Sequence, residues 1–449
     1  MKNKYQIILL TLIVSIFTAC GPSNTDGNTV GTNLIDEGTT QLGDVNASTS
    51  LSYVKNFGID VNATSAFAYK IIKIKYNTKD EQDNDVIASG VLVYPNITQE
   101  FLNYYKNTTG KDFSISLIVE NHGTIFTNSE APSNEITIPT KSTQITSVLM
   151  TAKAGFAVAM PDYLGYGDSN DKSHPYILKK SSARVSIDML RASSRYMIDN
   201  NILFNGQVYI SGYSEGGYVA MAMAEELEKN YADDFKVKGV APMAGPYDVK
   251  ALGNIEINAT HTMQYPAFLG YLASSYSINY DDINLNTILN TDINRTTYNM
   301  LFNGSYSNVQ IHGALAMVTD TNASTPLGKG FKEYNASKLF DTTFISDYQA
   351  NLNDPLKNKF EENSVYNWAP KSKINLIHCV DDEIIPISMS ITAYDKFKEN
   401  LGSDKTLTKT FIPTSYITHD GLFIHGDCAA TAYGAAVTWF NDIRSGDIK

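Results

Sequence analysis

Short apolar runs alternate with helix-length segments through most of this 449-residue chain. Each run is bounded by turn residues, as in GFAVAMPDY, GQVYISGYS, VKGVAPMAG and KINLIHCVDD. Helix-length spacers between apolar strands are typical of parallel sheets, so the alternation predicts an α/β protein with a mainly parallel sheet covered by helices on both faces. Because 43% of the residues are hydrophobic, the chain can bury a large core.

Three segments depart from this alternation. Residues 21–48, rich in Gly, Ser, Thr and Asn, are predicted to be a flexible tether. After them, AYKIIKIKYNT and VIASGVLVYP flank the polar turn KDEQDND, a pattern that predicts an antiparallel hairpin. Residues 252–370, rich in Tyr, Asn and Thr with weak helical periodicity, indicate an inserted, mostly helical cap. The α/β domain that carries this insertion is therefore predicted to consist of two parts of the chain, residues 49–251 and 371–449.

The first 20 residues have the pattern of an export signal. Lys2 and Lys4 precede an apolar run over 7–17 that is too short and too close to the terminus for a spanning helix. The run ends in Thr-Ala-Cys-Gly, and a small residue before Cys20 resembles the bacterial lipoprotein signal, although Phe17 stands where Leu is commoner. The resemblance implies that Cys20 is lipidated and anchors an exported protein to a bacterial membrane, expected to be the outer membrane, on its periplasmic or cell-surface side. An ordinary secretory signal is the alternative.

Ser214 stands in GYSEGG, at the junction of a predicted strand, QVYIS, and a predicted helix, GYVAMAMAEEL. A sharp strand-to-helix turn forces such a serine into a strained backbone conformation, and Gly212 and Gly216 must lack side chains to avoid clashes. The N-terminus of the helix favours developing negative charge. The context therefore predicts that Ser214 is a nucleophile, whereas Gly-x-Ser-x-Gly without it would as readily mark a helix-capping serine.

A serine hydroxyl becomes a good nucleophile only when a base takes its proton and a carboxylate orients that base. Both follow Ser214 in the expected order. Asp382 comes just after the apolar run KINLIHCV and is preferred over Asp381 because the Asp-x-x-Ile-Pro spacing resembles the acid loop of many hydrolases. His425 immediately precedes a helical segment and is preferred as the base over His419. Asp381 and His419 stay open as alternatives.

Together these segments resemble the α/β-hydrolase superfamily, more narrowly its bacterial and fungal secreted lipase-like serine esterases. The matching segments are ENHGT, PDYLGYGDSNDKSHPY, SIDMLRA, GYSEGG, APMAGPYD, DDEIIP and HGDCAATAYGAAVTWF. The resemblance implies a triad of Ser214, Asp382 and His425 that cleaves carboxylic esters through an acyl-enzyme, with no cofactor and with a small-molecule or lipid ester as substrate. A serine peptidase of the same fold and a non-catalytic binding lipoprotein are the alternatives.

Such an enzyme needs two backbone N–H groups that stabilise the oxyanion of its tetrahedral intermediate. One should come from Glu215, directly after the nucleophile. The other should come from the loop that follows SLIVENHG, and Thr124 is the predicted donor. His122 is expected to shape this loop through hydrogen bonds to the backbone. The glycines and Asp168 of PDYLGYGDS are expected to shape a second tight loop beside the site.

Charge and residue spacing argue against two other classes of function. The formal net charge is −12 and the sequence pI about 5.1, whereas broad affinity for nucleic acid needs clustered Lys and Arg along one face. The remaining histidines, at 174, 261, 312 and 378, are scattered, and no spacing of His, Cys or carboxylates builds a tetrahedral metal site. We therefore predict no nucleic-acid partner and no catalytic metal.

The cysteine count predicts one disulfide. With Cys20 assigned to lipid, Cys379 and Cys428 remain as an even pair in a chain that should fold outside the reducing cytoplasm. Cys379 lies three residues before Asp382, and Cys428 lies three after His425. Because the acid and base loops must approach each other, a bridge between these cysteines would hold the two loops together. The alternative is two small buried residues that never oxidise.

Overall fold

The computed structural model describes residues 34–138, 141–258, 265–319, 336–417 and 423–448. One nine-stranded sheet runs through these ranges. Its strands, numbered along the chain, are β1 (Leu34–Val45), β2 (Tyr69–Lys79), β3 (Asp85–Pro95), β4 (Ile115–Asn121), β5 (Ala157–Pro161), β6 (Phe204–Tyr213), β7 (Lys236–Met243), β8 (Lys373–Cys379) and β9 (Leu407–Ile412). Their order across the sheet is β1-β2-β3-β5-β4-β6-β7-β8-β9.

The sheet is mainly parallel. Six strands run parallel to one another, in the order β5, β4, β6, β7, β8 and β9. β1, β2 and β3 pair antiparallel, and β3 joins the parallel part through an antiparallel pairing with β5. The predicted hairpin is β2–β3, in which Lys79 lies opposite Asp85 beside the turn. The predicted α/β class is therefore confirmed.

Helices cover both faces of the sheet. Within the described ranges they are α1 (Ala47–Asn56), α2 (Gln99–Thr109), α3 (Pro132–Glu135), α4 (Ser142–Ser147), α5 (Lys179–Asp199), α6 (Glu215–Asn230), α7 (Val249–Glu256), α8 (Pro266–Asn279), α9 (Leu285–Ile288), α10 (Arg295–Leu301), α11 (Asn308–Thr319), α12 (Ala336–Leu339), α13 (Thr342–Ala350), α14 (Pro355–Glu362), α15 (Ser388–Leu401) and α16 (Ile424–Ser445). α5, α6 and α15 bury their apolar side chains in one cluster, and α1 and α16 in a second. Every residue of β4 is buried, as expected for a strand covered on both sides.

In its described residues, the segment between β7 and β8 is mostly helical, and some of them line a cavity with Ser214, which directly follows β6. The chain leaves β7 at Met243 and enters β8 at Lys373, and helices α7 to α14 lie between them. The predicted cap, residues 252–370, lies entirely within this segment. None of the helices in the described part of the chain is both long and apolar enough to cross a membrane.

Residues 34–45 correct the prediction of a flexible tether over residues 21–48. They form strand β1, which pairs antiparallel with β2 from Leu34 opposite Tyr76 to Val45 opposite Tyr69. Without β1, the edge of β2 would present a row of unpaired backbone N–H and C=O groups. Composition reports on local flexibility and carries no information about such a distant pairing partner. The signal segment, Cys20 and the rest of the tether before residue 34 lie outside the described residues.

Candidate active site

The turn between β6 and α6 holds Ser214 in a strained backbone conformation. Its φ is 61° and its ψ is −123°, and a positive φ is uncommon outside glycine. A Cβ added to Gly216 would lie 1.9 Å from the carbonyl oxygen of Asn121, and one added to Gly212 would lie 2.2 Å from the carbonyl oxygen of Gly216. Both glycines are therefore needed for close backbone contacts, which is the steric reason inferred from the sequence.

Three side chains meet at this end of the sheet. Oγ of Ser214 lies 2.9 Å from Nε2 of His425, and Nδ1 of His425 lies 2.7 Å from Oδ2 of Asp382. An ionised carboxylate only accepts, so Nδ1–H of His425 donates to Asp382, and Nε2 accepts from the Ser214 hydroxyl. Asp382 lies in the loop after β8 and His425 in the first turn of α16. Three separate elements thus bring the predicted triad residues together.

His425 is also held through its backbone. Its carbonyl oxygen accepts a 2.6 Å hydrogen bond from the Tyr213 hydroxyl, and its N–H donates to Oε2 of Glu383 at 3.1 Å. Only 5% of His425 and 8% of Asp382 is exposed to solvent. Both backbone polar groups of His425 are therefore held by hydrogen bonds, and the residue lies in a site from which most water is excluded.

Asp382 stays ionised although it is buried. Burial by itself would raise the pKa of the Asp382 carboxyl, but the charge of His425 and the hydrogen bonds from His378 and His425 lower that pKa well below its ordinary value. On its other oxygen, Oδ1 accepts the N–H groups of Ile384 at 3.0 Å and Ile385 at 2.8 Å. A carboxylate held in this way is suited to orient an imidazole and to stabilise its positive form.

The alternatives for the acid and the base have different outcomes. Asp381 is exposed and accepts a hydrogen bond from the Thr414 hydroxyl, so the structure places Asp382 and not Asp381 against His425. His419 lies in the segment 418–422, outside the described residues. Across the ranges that the structure covers, no three His, Cys, Asp or Glu side chains are grouped so that they could hold a metal ion.

The two predicted oxyanion donors border the nucleophile. Glu215 is the first residue of α6, and the first N–H groups of a helix have no acceptor within that helix. Thr124, in the loop after β4, lines the same cavity as Ser214. A Cβ added to Gly123, the residue before it, would lie 3.6 Å from Cβ of Ser214. The loop after β4 therefore runs directly beside the nucleophile.

Tyrosines of the PDYLGYGDSNDKSHPY segment hold the loop that carries Thr124. The Tyr166 hydroxyl donates to the carbonyl oxygen of Ile125 at 2.6 Å, and the Tyr176 and Thr124 hydroxyls share a hydrogen bond of 3.0 Å. Nδ1 of His122 lies 2.7 Å from the carbonyl oxygen of the next residue, the kind of backbone contact expected of it. The sequence pattern indicated only a tight loop here. Its tyrosines fix the loop that carries Thr124, the second predicted oxyanion donor, in place.

A buried pair next to the nucleophile had no counterpart in the sequence prediction. Oε1 of Glu215 lies 2.7 Å from Nε2 of His174, whose Nδ1 lies 2.8 Å from the carbonyl oxygen of Leu164. A carbonyl oxygen only accepts, so Nδ1–H of His174 donates to Leu164, and a further proton lies between Nε2 and the Glu215 carboxyl group. The sequence signal for this pair was Glu215 itself, because a carboxyl group buried directly after Ser214 needs a polar partner.

A cavity of about 160 Å³ opens beside Ser214. Most of its wall is apolar and comes from the helical insertion and the loop after β8, including Leu252, Phe268, Leu269, Leu272, Ile384 and Ile385. The polar groups beside these include Thr124 and the nucleophile itself. An apolar cavity with a few convergent polar groups is typical of sites that bind small molecules or parts of larger apolar ones.

A disulfide links the two segments that carry Asp382 and His425. It joins Cys379, the last residue of β8, to Cys428 in α16, with the two Cα atoms 6.2 Å apart. Both cysteines are fully buried. The bridge spans 49 residues of sequence and links the segments that carry Asp382 and His425. It is therefore placed to hold Asp382 and His425 in their relative positions.

Replacing both cysteines by alanine is expected to lower the free energy of unfolding by about 2 to 4 kcal/mol, because the unfolded chain then gains the freedom of an open loop. Denaturant unfolding, with and without a thiol reductant, measures this change. The wild type should lose stability when it is reduced, whereas the double variant should not respond. Two free thiols at residues 379 and 428 in the unfolded, unreduced protein would contradict the bridge.

The fold and the site together define the class of protein. A mainly parallel sheet with a serine at a sharp strand-to-helix turn, followed along the chain by an acid and a histidine, is the arrangement of the α/β-hydrolase fold. The chain belongs to the secretory lipase family, whose sequence profile matches residues 130–448. The family resemblance inferred from the sequence is thereby confirmed.

The chain is similar to a named lipase in sequence and to solved esterase and lipase structures in fold. A secreted triacylglycerol lipase of Malassezia furfur is 25% identical over 269 residues, 57% of this chain and 50% of that protein, so the chain spans about half the length of this relative. Crystal structures share the fold: the rice cell wall degrading esterase LipA of Xanthomonas oryzae (21% identity, 91% of this chain, 97% of that chain, TM-score 0.72) and Candida antarctica lipase A (15%, 85%, 76%, TM-score 0.55).

Proposed function

We propose that this chain is a serine carboxylester hydrolase of the lipase and esterase type, with Ser214, His425 and Asp382 as its catalytic triad. The observation that carries the proposal is the continuous hydrogen-bond chain of 2.9 Å from Ser214 to His425 and 2.7 Å from His425 to Asp382. Both distances lie within the reach needed for proton transfer and for orienting a base. Membership of the secretory lipase family supports an ester or lipid substrate.

In the first half-reaction, Oγ of Ser214 attacks the ester carbonyl carbon while Nε2 of His425 takes the hydroxyl proton. The carbonyl electron pair moves onto oxygen, and the resulting oxyanion accepts hydrogen bonds from the backbone N–H groups of Glu215 and Thr124. When the tetrahedral intermediate collapses, the bond to the alcohol oxygen breaks and His425 gives its proton to the departing alkoxide. The acyl group remains on Ser214.

In the second half-reaction, a water molecule takes the place of the alcohol. Nε2 of His425 accepts a proton from the water while the water oxygen attacks the acyl carbon, and the same two backbone donors stabilise the second oxyanion. The bond to Oγ then breaks, Ser214 regains its proton from His425, and a carboxylic acid is released. Asp382 stays ionised throughout and stabilises the imidazolium in both halves.

A panel of substrates tests this function. We expect hydrolysis of p-nitrophenyl esters and little activity on peptide p-nitroanilides, since the apolar wall of the cavity beside Ser214 suits an acyl chain or an apolar alcohol. The reverse preference would favour a serine peptidase of the same fold. Activity on neither, together with no labelling by a fluorophosphonate, would favour a binding lipoprotein and overturn the proposal.

We further propose that the protein is exported and anchored to a membrane through lipidated Cys20. One acyl chain binds a bilayer only marginally, but the several chains of a bacterial lipoprotein anchor it stably. Cys20→Ser is therefore expected to move the protein from the membrane fraction to the soluble fraction, while its esterase activity per molecule stays unchanged. Cell fractionation followed by immunodetection measures the shift, and equal solubility of both forms would count against lipidation.

A further inference from the structure

We propose that His378 is a positioning residue for the catalytic acid, an inference that rests on the proposed role of Asp382 in the triad. His378 lies near the end of β8, four residues before Asp382. Its side chain is fully buried. The sequence pattern places it among scattered histidines without a function, and the mechanism above does not use its imidazole.

The ring of His378 faces oxygen acceptors on one side and a hydroxyl on the other. Nε2 lies 2.8 Å from the carbonyl oxygen of Ile385 and 3.3 Å from Oδ2 of Asp382. Since a carbonyl oxygen has no proton to give, Nε2 carries the hydrogen and donates it to Ile385, and Oδ2 of Asp382 lies at ion-pair distance from the same nitrogen. Nδ1 lies 2.7 Å from Oγ of Ser390, a buried hydroxyl that can donate to it. The Ser390 hydroxyl thus fixes the tautomer with hydrogen on Nε2, the nitrogen that lies beside the acid.

These contacts close a ring around the catalytic carboxylate. The N–H of Ile385 donates to Oδ1 of Asp382 at 2.8 Å, while the carbonyl oxygen of Ile385 accepts from His378. Oδ2 of Asp382 accepts a 2.7 Å hydrogen bond from Nδ1–H of His425 and lies 3.3 Å from Nε2 of His378. Oδ1 thus accepts two backbone N–H groups, and Oδ2 accepts the N–H of His425 with the imidazole of His378 directly beside it. His378 therefore holds in place the same oxygen that orients the catalytic imidazole.

The charge environment of Asp382 agrees with this role. Burial raises the pKa of Asp382, and the charge of His425 and then the hydrogen bond from His378 lower it. Among the described residues, Glu383 of the same loop and Tyr213 of β6 are further titratable groups whose pKa responds to the charge of the acid. Changing His378 leaves all of these in place, so an altered pH profile can be assigned to the lost donor.

The test compares His378→Gln, whose amide N–H falls near the place of Nε2, with His378→Leu, which fills similar space without a donor. On p-nitrophenyl butyrate we expect the Leu variant to lose about 10- to 100-fold in kcat with little change in KM, as outer partners of oriented side chains do, and the Gln variant to keep most activity. Leu376→Ala is the matched control, because it removes buried volume on the same strand and no hydrogen bond.

The pH profile separates positioning from general damage. Without the N–H group of His378 beside it, Oδ2 of Asp382 attracts the proton of His425 more strongly, so the acid limb of kcat/KM should move by about half a pH unit to higher pH in the Leu variant. It should stay in place in Leu376→Ala. If the Leu variant does not fold, Ser390→Ala, which frees the tautomer, should show the same shift in smaller measure.

Two results would overturn the inference. One is equal impairment of the Gln and Leu variants, which would make the shape of the side chain and not its N–H the important property. The other is an unmoved acid limb in every variant of His378 and Ser390. Ser214→Ala in the same assay separates these results from a failure of the proposed function, because an active Ser214→Ala would remove the triad itself.

Discussion

Replacing Ser214 by alanine is expected to abolish ester hydrolysis and leave the fold intact. The change removes the attacking oxygen, and loss of the nucleophile in a serine triad lowers kcat by about 10⁶. Alanine is the appropriate substitution because it keeps a Cβ at the positive φ of 61°, so the strain of the turn is retained and stability should change little. Steady-state hydrolysis of a p-nitrophenyl ester and a thermal unfolding curve measure the two effects.

Ser211 provides the matched control for this variant. It lies three residues earlier on β6, is fully buried, and donates its hydroxyl to Glu120 and not to the catalytic histidine. Ser211→Ala should keep its reactivity towards a fluorophosphonate, whereas Ser214→Ala should not be labelled, and peptide mapping of the wild type should find the label on Ser214. Full activity in folded Ser214→Ala, or a label on another serine, would remove the proposed mechanism.

The nucleophile turn was predictable because its constraints are local. A strand, two glycines around Ser214 and a helix follow one another within a short stretch, and the structure shows backbone contacts as close as 1.9 Å from a Cβ added to Gly216. The parallel sheet was predictable for a related reason, since buried strands show as continuous apolar runs in the sequence. Chain order alone favoured an acid and then a histidine after the nucleophile.

What the sequence did not indicate depends on contacts between distant segments. Glu215 meets His174 across 41 residues of sequence, and strand β1 becomes visible only through its pairing with β2. His378 is different, because it is only four residues from Asp382. Its ring is held by Ser390 of α15, so the spacing alone could not reveal whether its N–H lies beside the acid.

Replacing Asp382 by asparagine is expected to lower kcat by about 10⁴, with a smaller effect on substrate binding. An amide cannot hold Nδ1–H of His425 as a carboxylate does, and its NH₂ group favours the tautomer with hydrogen on Nε2, which cannot accept the Ser214 proton.

Removing the base itself, in His425→Ala, should lower kcat by about 10⁶, close to the loss in Ser214→Ala. The double variant of Ser214 and His425 should be no worse than either single one, since these residues act as a unit.

The neighbouring aspartate, Asp381, provides the matched control for Asp382→Asn. Asp381→Asn is the same chemical change one residue earlier, on an exposed side chain bonded to Thr414, and should leave kcat near the wild-type value. An inactive Asp381→Asn together with an active Asp382→Asn would show that Asp381 is the acid. In the same way, an inactive His419→Ala together with an active His425→Ala would show that His419 is the base. Because the 2.7 Å bond from His425 reaches Asp382 alone of the two, we expect the loss of activity to follow Asp382.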